Sequence, residues 1–260
     1  MKRKLKDRRA IVTGASSGIG FATALELARH GVHLVAVARR EDRLRKLVEQ
    51  IAPLGVRIET VAGDMTDPQT RQRALDAAQE KLGGLDILMN NAGVGALGPF
   101  ADASVDRARR VMEINFFATV EMTRLALPAL RRGVRPIIIN VGSIVGRRGV
   151  PNRSEYSASK FAVCGFSEAI RAEFASQGID VLLVNPGPTE TEFFEKELER
   201  TIDAKWPKHT PVRSDAVARQ VVRAIRRGRH EIIPYGWGRV LCWLNRLSPR
   251  LMDAVLAHYA

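Results

Sequence analysis

Cysteine is nearly absent from this chain of 260 residues: there are two, Cys164 and Cys242, far apart and each in apolar, helix-like surroundings. That argues against a disulfide scaffold and reads as two reduced, packed thiols in a cytoplasmic protein. Histidine and cysteine nowhere cluster, so no metal site is expected. No apolar run approaches the roughly 18 residues that a bilayer-spanning helix needs. The basic stretch 1–9 resembles the start of an export signal, but the apolar run behind it stops at Val12, ahead of Thr13 and Gly14. No export segment is therefore expected. Acidic residues are in deficit, 28 against 41 Lys and Arg, which leaves a formal charge of +13. The arginines fall in short pairs (Arg39-Arg40, Arg131-Arg132, Arg147-Arg148, Arg226-Arg227) without the interleaved aromatics that stack bases. The excess therefore reads as a basic, soluble surface, and no specific nucleic-acid partner is expected.

What the chain does have is alternation. Short apolar strands are expected at 10–13, 33–38, 57–62, 86–89, 136–143 (running out into a loop), 180–185 and 231–234, with helical patterns between them at 21–30, 41–54, 68–82, 104–130 and around Tyr156. Strictly alternating strands and helices at this pitch predict an α/β fold of one domain, a doubly wound parallel sheet of Rossmann type with about seven strands and helices on both faces. The domain is expected to run over 1–235, with a substrate lid at about 188–212 and a C-terminal amphipathic extension, 236–260, belonging to the same domain.

The first strand runs straight into Gly14, Ser16, Ser17, Gly18, Ile19 and Gly20, and a helix follows. Strand, glycine loop and helix start make a phosphate cradle, because glycines let backbone N–H groups approach an anion at the helix N-terminus. An acidic residue after the second strand would hydrogen-bond ribose hydroxyls, and it is lacking: Arg39 and Arg40 stand there instead. A guanidinium can grip a 2′-phosphate in a bidentate way, which predicts NADP(H) as cofactor in preference to NAD(H). The alternative is that both arginines merely open the charged helix behind them.

Tyr156 and Lys160 lie four residues apart in a helical segment and so share one face. A phenol is a poor proton carrier at neutral pH unless a nearby positive charge favours its phenolate, and Lys160 can supply that charge. Ser143 ends a buried strand, where α/β sheets place their ligands. Serine, tyrosine and lysine together can hold a carbonyl oxygen and pass it a proton. A Tyr-x-x-x-Lys alone is usually a packed ring beside a solvated amine. Asn115 sits mid-helix in an apolar stretch, where asparagine competes for backbone hydrogen bonds and needs a reason.

Thr13-Gly-Ala-Ser-Ser-Gly-Ile-Gly20, Asn90-Asn-Ala-Gly93, Asn115, Ser143, Tyr156-x-x-x-Lys160 and Pro186-Gly-x-x-x-Thr191, in this order and spacing, resemble the short-chain dehydrogenase/reductase family over roughly residues 8–235. The resemblance implies a hydride transfer between nicotinamide and a carbonyl or alcohol. It makes Tyr156 the general acid or base, with Ser143 on the substrate oxygen. Lys160 would lower the tyrosine pKa and bind the nicotinamide ribose, and Asn115 would support a water that joins Lys160 to solvent. Asp64, beside Met65, would meet the adenine amino group. Asn91, Ala92 and Gly93 would lie on the adenosine side, and Pro186, Gly187, Thr189 and Thr191 on the nicotinamide side, with Thr191 on the carboxamide. The Tyr156-Ser-Ala-Ser-Lys-Phe-Ala stretch is similar to members that act on steroids, retinoids and other lipid-like alcohols or ketones.

A bulky apolar carbonyl or secondary alcohol is therefore the expected substrate, bounded by Ser143, Val145, Tyr156, Phe193 and Phe194, with Trp206 nearby; these aromatics could equally be core. A 3-oxoacyl thioester on an acidic carrier protein is the alternative substrate, and a cofactor-loaded regulatory protein without turnover is the alternative of another class. Homodimer or homotetramer is expected. The tail carries Trp237, Leu241, Trp243, Leu244, Leu247, Leu251, Met252 and Leu256 with Arg239, Arg246 and Arg250 between them. That pattern leaves three placements open: the interface of a membrane that the protein touches peripherally, a partner subunit, or the pocket.

Overall fold

Seven strands do form, and all pair in parallel in the order β3-β2-β1-β4-β5-β6-β9. They are β1 (Arg9–Thr13), β2 (His33–Ala38), β3 (Ile58–Ala62), β4 (Ile87–Asn90), β5 (Ile137–Val141), β6 (Asp180–Val184) and β9 (Glu231–Ile232), while the short pair β7 (Thr189–Glu190) and β8 (Val212–Arg213) stands apart. The structure is a computed structural model that describes residues 2–193, 197–202 and 210–258. Phe194 and Trp206 lie outside the described residues.

Strands buried on both faces read as near-continuous apolar runs, and every residue of β5, Ile-Ile-Ile-Asn-Val, is buried. Because successive side chains point to opposite faces, Ala10 and Val12 of β1 enter one core cluster and Ile11 the other. The first cluster is covered by α1 (Gly18–Arg29), α2 (Glu41–Ile51) and α7 (Ser214–Arg227), the second by α3 (Pro68–Leu82), α5 (Ala118–Arg131) and α6 (Ser154–Phe174). Strand order reverses between β1 and β4, and such a switch point opens a crevice at the carboxyl ends of the strands. The glycine loop after β1, Asn91 to Gly93 after β4, Ser143 after β5 and Pro186 after β6 all lie on that edge.

Two boundaries and the placement of the N-terminus differ from the sequence reading. The helix expected over 104–130 begins later, as α4 (Arg107–Met112), and passes through a π-helical turn, Glu113–Phe117, before α5. A π turn inserts one residue into an apolar pattern without breaking it, so periodicity does not reveal it. The last strand is two residues long because Pro234 cannot donate to a ladder. The basic N-terminus is also not all surface: Arg3 is buried, pairs with Asp180 and donates to the Ile225 carbonyl at 2.7 Å.

Helix α3 begins where the sequence marks it. Asp67 caps it by accepting from the backbone N–H groups of Gln69 and Thr70 at 3.0 and 3.1 Å, with Pro68 in the first turn. Removing such a cap costs about 1 kcal/mol. Asp67→Ala should therefore lower the unfolding free energy by that amount, read as a lower urea midpoint at an unchanged dependence on denaturant.

The extension forms α8 (Gly236–Leu247) and α9 (Pro249–Ala257), which pack on the loop after β5. Arg148 of that loop pairs with Asp253 and donates to Asn245 Oδ1 at 3.1 Å, and Asn245 Nδ2 donates to the Arg147 carbonyl at 3.4 Å.

Candidate active site

Tyr156 and Lys160 project from one face of α6 and are both buried. Lys160 Nζ donates to the Val141 carbonyl at 2.9 Å, which ties α6 to the end of β5, and lies 5.8 Å from the Tyr156 ring centroid. Ser143 follows β5. Its N–H donates to Asn185 Oδ1 at 3.1 Å, and its hydroxyl accepts from Val145 N–H at 3.3 Å and faces the Pro186 carbonyl at 3.4 Å. The Phe193 ring stands 5.6 Å from that of Tyr156.

These groups open into one cavity of about 690 Å³ that continues to the glycine loop and to Arg39, Arg40 and Asp64. Of the described residues expected in the site, all line it except Gly20 and Asn115. Gly20 packs beneath: a Cβ there would collide with the Gly14 carbonyl and the Asn91 side chain. Asn115 stands behind the wall in the π turn. Its amide accepts from Val94 N–H at 2.8 Å and donates to the Val94 carbonyl at 3.0 Å and to Ser159 Oγ at 2.9 Å. That is the reason a mid-helix asparagine lacked: it clamps the segment after β4 to α6.

Burial dominates the electrostatics. It pushes the Tyr156 phenol up to about 12, against the opposing pull of a Ser143 hydrogen bond and the Arg153 charge. Burial also lowers the Lys160 ammonium to about 8. The sequence reading had Lys160 acidify Tyr156; in this structure Arg153, from the start of α6, is the cation that acts on the phenol. Arg153 in turn pairs with Glu197, which raises the tyrosine pKa.

Several roles in the site had no sequence signal. Thr13 Oγ1 accepts from the N–H groups of Asn91 and Ala92 at 2.9 and 3.0 Å, fixing the ends of β1 and β4 against each other. Asn91 Nδ2 is occupied by the carbonyls of Thr13 and Gly14, so this side chain braces the glycine loop. Arg148, Arg153, Arg200 and Glu192 line the cavity. Leu241 of α8 does so as well, so the extension supplies part of the pocket wall while Trp237, Trp243, Leu247 and Leu251 remain exposed. Among the described residues no group of three or more His, Cys, Asp or Glu is placed to hold a metal ion.

The glycine loop fits a dinucleotide phosphate. Gly14 and Gly18 take positive φ of 66° and 57°, which favour glycine. Ser17 caps α1 with no side-chain hydrogen bond, and the first turn holds no acid, so its N–H groups face the cavity uncompensated.

The short chain dehydrogenase family model matches residues 8–201. The oxidoreductase YxnA of Bacillus subtilis is 33% identical over 262 residues, covering 98% of this chain and 72% of its own. The 11-beta-hydroxysteroid dehydrogenase A of Sesamum indicum is 34% identical, covering 94% of this chain and 73% of its own. A solved short chain dehydrogenase of Burkholderia cenocepacia in complex with NADP superimposes with a TM-score of 0.79 at 29% identity, covering 89% of this chain and 97% of that one. A Burkholderia phymatum enzyme of the same kind, in complex with NAD, shares the fold with a TM-score of 0.87 at 24% identity, covering 96% of each chain.

Proposed function

The chain belongs to the short-chain dehydrogenase family, and from that premise we propose that it is an NADP(H)-dependent oxidoreductase acting on a carbonyl or secondary alcohol of a bulky apolar, lipid-like molecule. The observation that carries this reading is the continuity of one cavity from Arg40 and the glycine loop to the buried Ser143, Tyr156 and Lys160. When bound, the nicotinamide supplies or accepts the hydride at the carbonyl carbon. Ser143 donates a hydrogen bond to the substrate oxygen, and Tyr156 gives its phenolic proton to that oxygen in reduction and takes it back in oxidation. The Arg153 charge favours the phenolate so formed, and the Lys160 ammonium would hold the nicotinamide ribose. The open N–H groups at the start of α1 would hold the pyrophosphate.

The steroid dehydrogenase relative supports a lipid-like substrate, as do Val145, Val150, Phe193 and Leu241 in the wall. A second reading has one observation in its favour: Arg148 and Arg200 line the same wall, which suits the acidic carrier of a 3-oxoacyl thioester. Initial rates with free steroid, retinoid and medium-chain ketones against acyl thioesters separate the two, the first reading being lost if only thioesters turn over.

Arg40 supports the cofactor preference, since its guanidinium meets the hydroxyls of Ser16 and Ser17 on the cavity wall. A hydrogen bond to a charged group is worth about 1.5–3 kcal/mol. Arg40→Ala should therefore raise the NADPH Kd roughly 10- to 100-fold and leave the NADH Kd unchanged. An equal loss for both dinucleotides would reject the preference. Exposed Phe117 at the end of the π turn and Phe161 on α6 support a homodimer or homotetramer. The exposed tryptophans and leucines of α8 and α9, with Arg239, Arg246 and Arg250 among them, support peripheral contact of a cytoplasmic protein with an anionic bilayer. Co-sedimentation with phosphatidylserine vesicles tests that contact, and Trp237→Ser with Trp243→Ser should abolish it.

A further inference from the structure

The two arginines after β2 have different surroundings. Arg39 is largely exposed, with its guanidinium 3.7 Å from Asp64. Arg40 is half-buried in a notch: Nη2 donates to Ser17 Oγ at 2.8 Å and Ser16 Oγ at 3.1 Å, and Nη1 donates to Glu192 Oε2 at 2.6 Å. Arg43 Nη2 reaches the other oxygen of the same carboxylate at 3.3 Å. Glu192 comes from the segment just after β7, far away in sequence. It is brought here because Thr191 lies against the glycine loop, where a Cβ on Gly18 would come within 2.7 Å of Thr191 Cγ2. Two guanidinium groups thus converge on one anion, with the other nitrogen of Arg40 held by two hydroxyls, and that anion belongs to the protein.

We propose that Glu192 is an intramolecular competitor for the 2′-phosphate of the dinucleotide and so sets how strongly the chain prefers NADP(H) to NAD(H). The proposal rests on the reading that Arg40 faces the 2′-phosphate. A phosphate dianion and the Glu192 carboxylate on the same guanidinium repel each other within a few ångströms, so the carboxylate must release Arg40 before the phosphate takes it. An unphosphorylated ribose makes no such demand, and the Arg40–Glu192 pair then persists. The residue lowers affinity for one dinucleotide only, and specificity is a difference of affinities.

The test is calorimetric titration of the full chain with adenosine 2′,5′-bisphosphate and with adenosine 5′-monophosphate. Glu192→Gln keeps the size of the side chain and removes the charge. It should tighten bisphosphate binding roughly three- to tenfold, the scale of a partly exposed ion pair, and leave the monophosphate unchanged. In the Arg40→Ala background the Glu192→Gln effect should vanish, since the two residues act as a coupled pair. Unchanged bisphosphate binding in Glu192→Gln, or an equal loss for both probes, overturns the proposal while leaving the Arg40 reading intact if Arg40→Ala still removes the preference for bisphosphate. If the wild type binds both probes equally and Arg40→Ala alters neither, both ideas fall together.

Discussion

Tyr156→Phe should lower kcat for carbonyl reduction about 10²- to 10⁴-fold and leave the fold and the NADPH Kd unchanged, because it removes one proton from the cavity and almost nothing from the packing. The Tyr156 ring is held by burial and by Phe193, and phenylalanine satisfies both. The same chemistry fixes two pH profiles of opposite form. Reduction needs the Tyr156 phenol and the Lys160 ammonium. With the phenol pushed up to about 12 and the ammonium lowered to about 8, log kcat/KM should be level at neutral pH and fall above about 8. Oxidation needs the phenolate beside the ammonium. Its log kcat/KM should rise with unit slope up to about pH 8 and level off there, because each further gain in phenolate is matched by loss of ammonium. Retained turnover in Tyr156→Phe, or a reduction rate that rises with pH, would remove Tyr156 from the reaction.

Much of this geometry was legible because it is written in backbone-demanding or strongly patterned residues. Both faces of β5 are buried, so its apolar run could not be mistaken for a surface segment, and Gly14 and Gly18 mark positive φ where other residues are strained. Ser143, Tyr156 and Lys160 were legible through spacing, since a strand end and an i, i+4 pair place side chains without knowledge of the rest of the fold. What escaped depends on contacts between distant segments. Glu192 falls in the substrate lid expected over 188–212, and only its docking on Arg40 brings it to the cofactor side of the cavity. Arg153 belongs to no motif in the sequence, yet it carries the charge that acts on Tyr156. The tail showed its amphipathic period but not which way it faced; Leu241 turns inward and Trp243 outward on the same helix. The strong positive charge misled in one respect, since a basic composition gave no hint that Arg3 and Arg107 would be buried.

Arg107 leads to the largest expected loss of stability. Its guanidinium is 1% exposed, and it donates to Glu155 through Nε at 3.1 Å and through Nη2 at 2.8 and 3.0 Å, with the Gly98 carbonyl at 3.3 Å from Nη2. The pair joins α4 to the first turn of α6, one residue before Tyr156, and Glu199 of the lid segment lies 3.8 Å from Nη1. Burial pushes the Glu155 carboxyl upward, but hydrogen bonds from Ser154, its own backbone and Arg107 outweigh it and hold it below the usual glutamate range. The stability this contributes is present above the unfolded pKa of about 4.3 and is lost as pH falls through the lower folded value. Glu155→Leu strands a buried cation and should cost about 3–5 kcal/mol by urea unfolding at pH 7. Arg107→Met combined with Glu155→Leu should recover most of that, because two apolar side chains of similar volume leave no charge to solvate. If the double variant is as unstable as Glu155→Leu alone, the pair is needed for its geometry, which sets α6 and therefore Tyr156 against β5. The double variant would then be expected to lose kcat together with stability. Recovery of stability with kcat intact would confine Arg107 and Glu155 to holding the fold.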